Sequence, residues 1–342
     1  VNAMPVEYYA EEMELFWKFI FERHQIYQKK VTLQCPPPWT DNRLLADYRY
    51  TNVFRELDRG TRFVIEHIDV EELEDNDWLF NVIVYRLFNK IETYLTHGYC
   101  CVDSYDPIVF ETRIRERASV DKVFTNAFVV SGYSQFGAGM DKIKRLSILI
   151  GQLAKQLKED WDNGFSKIIF ETTDLERVYT YLRSVNGVGP FLGYQIAIDL
   201  SYSRRTLFGE DEYVVDGPGA KRGLQELFPA AGDRGMGYEY LNFWLRDKQG
   251  EFFKDYDIPD TMFADRSTPY LTVMDLENCL CEFSKMIKAF RGAGRPRNTF
   301  NTNLSYQGSY LLRNNDWMHD DYSFDKFDKE ANRNSYKRFK GR

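Results

Sequence analysis

One stretch limits this chain more than any other: Leu182-Arg-Ser-Val-Asn-Gly-Val-Gly-Pro-Phe-Leu-Gly-Tyr-Gln-Ile-Ala-Ile-Asp-Leu200, followed by Val214-Val-Asp-Gly-Pro-Gly-Ala-Lys-Arg-Gly-Leu224. Gly187 and Gly189 flank Val188, so the backbone can turn sharply through positive φ, where other residues would be strained. Pro190 suits the first position of the next helix, because its missing N–H would be an orphan there. Val185, Val188, Ile196 and Leu200 can pack the two helices together. The pattern predicts helix, glycine hairpin, helix, then Asp216 on a glycine-rich turn opening another helix. The second helix would offer free backbone N–H groups at its start, which suit a phosphate. Asp216 has two readings. It can cap the helix beginning near Pro218, as Asp often does, or it can supply a working carboxylate; its place after the hairpin favours the second.

The chain has 342 residues, 43% hydrophobic and 28% charged, enough for a large core in one two-lobed domain or two small ones. No apolar run approaches the roughly 20 residues that span a bilayer, so no membrane partner is expected and a cytoplasmic location is. Five cysteines without metal-ligand spacing fit a reduced compartment and no metal site. The net charge of −7 argues against a nonspecific nucleic-acid coat. Base is nevertheless concentrated at Arg43–Arg62, Lys142–Arg145, Lys221–Arg222, Arg291–Arg297 and Lys337–Arg342.

Apolar periodicity predicts a mainly α chain. Helices are expected over 6–29, 43–67, 71–97, 118–131, 139–160, 173–185, 190–202, 217–227, 236–247 and 272–290, with Lys167–Phe170 the strand-like exception. Three parts are expected: residues 1–117, a helical part with a polar block; 118–298, the hairpin core; and 299–342, a polar, partly disordered tail. Within the block Trp39–Arg59, Tyr48, Asn52, Arg55 and Arg59 recur three or four apart and would share one helix face. Such a face can read a base edge or form a salt-bridged seam between helices. Ser131–Gly139 separates two helices and carries Gln135 and Phe136, candidates for filling the gap left by a flipped base.

The hairpin with its following Val215-Asp216 resembles the helix-hairpin-helix DNA glycosylase superfamily. The block Trp39–Arg59, with Val273–Lys285 and Gly294-Arg-Pro296, resembles the hydroxymethyluracil DNA kinase helical-domain family, over roughly residues 16–297. That family is related to the alpha-glutamyl/putrescinyl-thymine pyrophosphorylase group and is associated with phage thymine hypermodification. Together these resemblances imply a two-lobed, helical, glycosylase-like fold. They imply a monofunctional DNA glycosylase that excises a flipped-out hydroxymethylated or hypermodified pyrimidine, in anti-phage defence. Asp216 would be catalytic; Tyr48, Asn52, Arg55, Gln135 and Phe136 would bind substrate. Gly187, Gly189, Phe191, Lys221 and Arg222 would hold the DNA backbone. Phe191 stands where bifunctional members carry lysine, which implies hydrolysis without strand nicking. The expected partner is duplex DNA with modified pyrimidines, bound by a monomer, and no cofactor is expected beyond room for a monovalent cation at the hairpin. Two alternatives stay open: a transferase attaching an amine or amino acid to an activated hydroxymethyl pyrimidine, and a non-catalytic binding module. The sequence holds no Gly-rich Lys-Ser/Thr phosphate loop, so no kinase activity of the chain's own is expected.

Overall fold

The computed structural model describes residues 6–125, 140–233, 236–264 and 268–294. Gln135, Phe136, Arg295–Arg297 and the tail from Thr299 lie outside them. The chain divides into two units, Val1–Arg59 with Tyr213–Ser323 and Gly60–Glu212 with Phe324–Arg342. The regular structure of the described residues is helical, with no strand.

In chain order, the first helices are α1 (Ala10–Tyr27) and α2 (Arg43–Asp47). Next come α3 (Arg59–Phe63), α4 (Asp75–Phe88), α5 (Ile91–His97), α6 (Pro107–Val120) and α7 (Lys142–Asp162). Then follow α8 (Ile168–Glu171), α9 (Leu175–Ser184) and α10 (Pro190–Ser201). The last are α11 (Pro218–Leu227), α12 (Tyr238–Asp255) and α13 (Val273–Phe290). Lys167–Phe170, strand-like in sequence, falls at the short helix α8, because an isolated apolar run cannot distinguish the two by periodicity.

The first unit packs α1, α11, α12 and α13 around one apolar core. Phe16, Trp17 and Ile20 of α1 meet Leu224 of α11, Leu245 of α12 and Leu280 and Phe283 of α13. α13 starts on a capping box: Thr272 accepts from Asp275 N at 3.2 Å, and Asp275 accepts from Thr272 N at 3.2 Å. The closest approach lies between α11 and α13. A Cβ on Gly223 would sit 2.8 Å from the carbonyl carbon of Leu280 and 3.0 Å from its Cα. Backbone cannot rotate away, so the helices would have to separate. Gly223→Ala is therefore expected to destabilise the chain by about 1–3 kcal/mol net of any helix-propensity gain. Urea unfolding checks this, and a neutral result would show that the two helices slide freely.

The predicted helix over 43–67 is broken. It divides into α2, an extended run, a short 3-10 turn at Arg55–Leu57, and α3 continuing into a wide turn at Val64–Ile68. Tertiary hydrogen bonds replace the helical ones: Asn278 donates to the Asn52 carbonyl at 2.9 Å, and Asp275 accepts from Arg55 N at 2.8 Å. Tyr48, Asn52, Arg55 and Arg59 thus do not lie along one helix face. The predicted helix over 71–97 also breaks, at Asn89, which takes a left-handed conformation with φ 49° and ends α4. Asn tolerates that geometry better than most residues.

In the second unit α4 is buried on all sides, against α7 and α10. Its Arg86 forms a two-point ion pair with Asp199 of α10: Nε donates to Oδ2, and Nη2 donates to Oδ1 at 2.7 Å. Asp199 is thereby occupied in the core. The hairpin forms as expected. Gly187 has φ 82°, and Gly189 and Pro190 open α10. Gln156 of α7 braces the turn, accepting from Asn186 N at 3.0 Å and donating to the Ser184 carbonyl at 3.2 Å.

Candidate functional site

Asp216 belongs to the first unit and is placed by the run Tyr213–Asp216, which Val214 anchors in the core. α11 is capped at Gly217 without a side-chain hydrogen bond. The carboxylate of Asp216 turns instead to α12, where Oδ1 accepts from Asn242 Nδ2 at 3.0 Å. Asn242 is fully buried, and its own Oδ1 has no hydrogen-bond partner. From α13, Glu277 Oε1 accepts the Gly217 N–H at 3.1 Å. Two carboxyl groups from distant parts of the chain therefore meet at the single backbone turn that begins α11.

Both side chains still reach solvent while most of their surroundings are protein. Burial pushes the Asp216 carboxyl up to about 6, opposed by the Asn242 hydrogen bond and by Lys221, and helped by Glu239. Burial likewise pushes Glu277 up to about 7; the Gly217 N–H opposes this, Asp216 adds to it, and Arg55 and Lys285 oppose it. A carboxyl that titrates near 7 is half-ionised at neutral pH. It can take a proton from a bound hydroxyl or return one. Among the described residues no cluster of three or more His, Cys, Asp or Glu is placed to hold a metal ion.

Of the substrate-binding candidates, Arg55 is brought to this pair, since its charge acts on Glu277. Its guanidinium also donates to Asp58 at 3.2 Å. Asn52 is buried and donates to the Leu57 carbonyl at 2.8 Å, which shapes the loop that presents Arg55. Tyr48 ends α2 and packs against the core of the first unit. Lys221 and Arg222 stand exposed on α11. Gly187, Gly189 and Phe191 lie on the hairpin, in the other unit from Asp216. Phe191 is 52% exposed there.

Glu277 and Asn242 are the residues that sequence reading missed. Asn242 did carry a signal: with Gln249, seven residues on, it interrupts the buried face that Leu241, Leu245 and Phe252 form on α12. A polar side chain inside an apolar stripe has to be satisfied, and here its partner is Asp216.

Residues 10–294 match the family described as 5-hmdU DNA kinase, helical domain. The chain is also 26% identical, over 238 residues, to the 5-hmdU DNA kinase of Bacillus phage SP10. That match takes in 64% of this chain and 37% of the relative, so the chain spans well under two thirds of the relative's length. No solved structure matches. These findings overturn the expectation of a monofunctional DNA glycosylase, and with it the assignment of the chain as a hydrolase. A kinase transfers a phosphoryl group and leaves the glycosidic bond intact. The error came from the hairpin: a glycine turn between helices is a general device, and it carried a resemblance to hydrolases further than its residues warranted. The hydroxymethyluracil resemblance, drawn from residues outside the hairpin, is borne out: the chain belongs to the 5-hmdU DNA kinase helical-domain family.

Proposed function

We propose that this chain holds a 5-hydroxymethylpyrimidine of DNA for group transfer onto its hydroxymethyl oxygen. The observation that carries the reading is the meeting of Asp216 and Glu277 at Gly217, with carboxyls pushed up to about 6 and about 7. An alcohol is a weak nucleophile. A carboxylate near pH 7 can take its proton as the oxygen attacks, which makes the alcohol a competent acceptor. Glu277 is that base. The hydroxymethyl proton passes to its free oxygen, the substrate oxygen bonds to the incoming group, and the donor's leaving group departs with the electron pair.

Asp216, held by Asn242, adds the negative potential that keeps Glu277 basic. Arg55 and Lys221 face the same turn and offset the charge that builds there. The relative's name indicates phosphoryl as the group transferred. The residues assigned here are those of the acceptor side. The hairpin, with Gly187, Gly189 and Phe191, and Lys221 and Arg222 on α11 are assigned to the DNA backbone on their chemistry: open backbone N–H groups and exposed cations.

The chain is incubated with 5-hydroxymethyluracil DNA and a nucleoside triphosphate, and the digested nucleosides are weighed by mass spectrometry. The expected product is an intact nucleoside heavier by one phosphoryl group, a result that would also overturn the expectation, drawn from the missing Gly-rich Lys-Ser/Thr loop, that the chain has no kinase activity of its own. Unchanged nucleosides with a binding preference for hydroxymethylated over thymine DNA would reduce the role to recognition. Unchanged nucleosides without that preference would end the proposal.

A further inference from the structure

The exposed faces of α11 and α13 form a basic strip beside the carboxyl pair. Lys221 and Arg222 project from α11, and Lys285, Lys288 and Arg291 from the end of α13. The two helices are in close contact, and Arg222 and Lys285 both act on the thiol of Cys281, so their charges flank the seam. From Phe283 to Arg291 the chain carries no acidic residue, within a protein whose net charge is −7. Two carboxylates pair into the strip, Glu226 with Arg291 at 2.7 Å and Glu282 with Lys285 at 2.5 Å. Arg222 and Lys288 have no carboxylate partner among the described residues.

Helix electrostatics explain only part of this arrangement. Lys288 and Arg291 lie where the negative end of α13 attracts cations. Lys221 and Arg222 are the fourth and fifth of the ten residues of α11, past its first turn, so neither helix pole accounts for them. Phe290 adds a second kind of contact. It is 68% exposed beside Lys288 and Arg291, and an exposed ring among cations suits stacking on a nucleobase. Along α13, Glu277 and Arg291 are about 21 Å apart at 1.5 Å per residue, a length of several nucleotides.

We infer that a DNA strand runs along the α11–α13 face, its phosphates held by Lys221, Arg222, Lys285, Lys288 and Arg291 and a base stacked on Phe290, so that it delivers its modified base to the Asp216–Glu277 turn. This inference rests on the DNA-directed reading above and adds the path of the strand to it. Exchange of the solvent-facing Glu226 pair for phosphate costs little, because such ion pairs are weak, whereas Lys285 keeps its pair with the buried Glu282 and reaches the phosphate with its remaining ammonium protons.

The test is fluorescence anisotropy of the chain with a 5-hydroxymethyluracil duplex, over salt from about 50 to about 200 mM. Five phosphate contacts give a log–log slope of about −4.5. The Arg222→Gln/Lys288→Gln double variant is expected to flatten it by about two units, one per charge removed. Lys18→Gln/Lys254→Gln, which removes exposed charge elsewhere in the same unit, is expected to leave it unchanged. Phe290→Ala is expected to weaken binding at least fivefold at an unchanged slope. If the first pair leaves the slope alone while the wild type binds, the strip is overturned and the acceptor reading stands. An equal effect from the second pair overturns the strip as well. If the wild type binds no DNA, both readings fall.

Discussion

Glu277→Gln is expected to slow group transfer by roughly 100- to 10,000-fold, the range that positioned bases contribute, while DNA affinity changes by no more than about threefold. Glutamine keeps the shape and still accepts the Gly217 N–H through its amide oxygen, so the turn survives and only the proton acceptor is removed. The pH dependence carries the sign. A base must be ionised to work, so the wild-type rate should rise with pH through about 7 and then level, following the raised Glu277 carboxyl. A rate that falls across that range would assign Glu277 the opposite role, as an acid. In the variant the limb near 7 should be absent.

The same shifts act on stability. Both carboxyls titrate above their ordinary range in the folded chain, so the native state binds protons more tightly than the unfolded one. That stability is fully present below the ordinary carboxylate range and is lost as pH rises through about 6 and then about 7. The wild type should melt lower at pH 8 than at pH 5, and Glu277→Gln should flatten that slope. A variant that loses transfer and stability together at every pH would show a merely structural glutamate.

How much of this was legible in the chain depends on where each element gets its hydrogen bonds. α9, the glycine turn and α10 are local: Gly187, Pro190 and an unbroken apolar face decide them within 20 or so residues, and periodicity finds such elements. The segment 48–58 is decided elsewhere. Its backbone and side chains bond to Asp275 and Asn278, more than 200 positions later, and no local pattern reports a partner that far off. The break at Asn89 was hidden because a left-handed residue costs Asn little and leaves the flanking periodicity intact. The site divides the same way. Asp216 announces itself by its glycine-rich turn. Glu277 looks like any helical glutamate until α13 closes against α11 and brings it to Gly217. The charge runs at Lys221–Arg222 and at Arg291 were visible singly, and helix packing makes them one surface.

Asp199→Ala is expected to cost about 3–5 kcal/mol of stability, the usual penalty for leaving one partner of a buried ion pair alone, and to lower the melting temperature by on the order of 10 °C. The reason lies in Arg86. Its guanidinium is almost wholly enclosed and meets Asp199 through two nitrogens, Asn89 Oδ1 at 2.6 Å and Thr61 Oγ1 at 3.3 Å. It also lies 5.2 Å from the Tyr85 ring. Without the carboxylate, the neutral acceptors and the ring must hold a full charge away from water, which they do poorly. The pair is therefore not a source of large net stability but a constraint, since neither member can leave alone. An Arg86→Met/Asp199→Leu double variant removes both charges at similar volume and should recover most of the loss. A thermodynamic cycle over the four proteins tests this: strong coupling is expected, and additive single costs would mean that Arg86 finds other compensation. The Asp199 variants also separate a structural carboxylate from the carboxyl pair at Gly217. Asp199 variants should change melting, while transfer per folded molecule keeps its pH profile, because the proton that matters is held at Glu277.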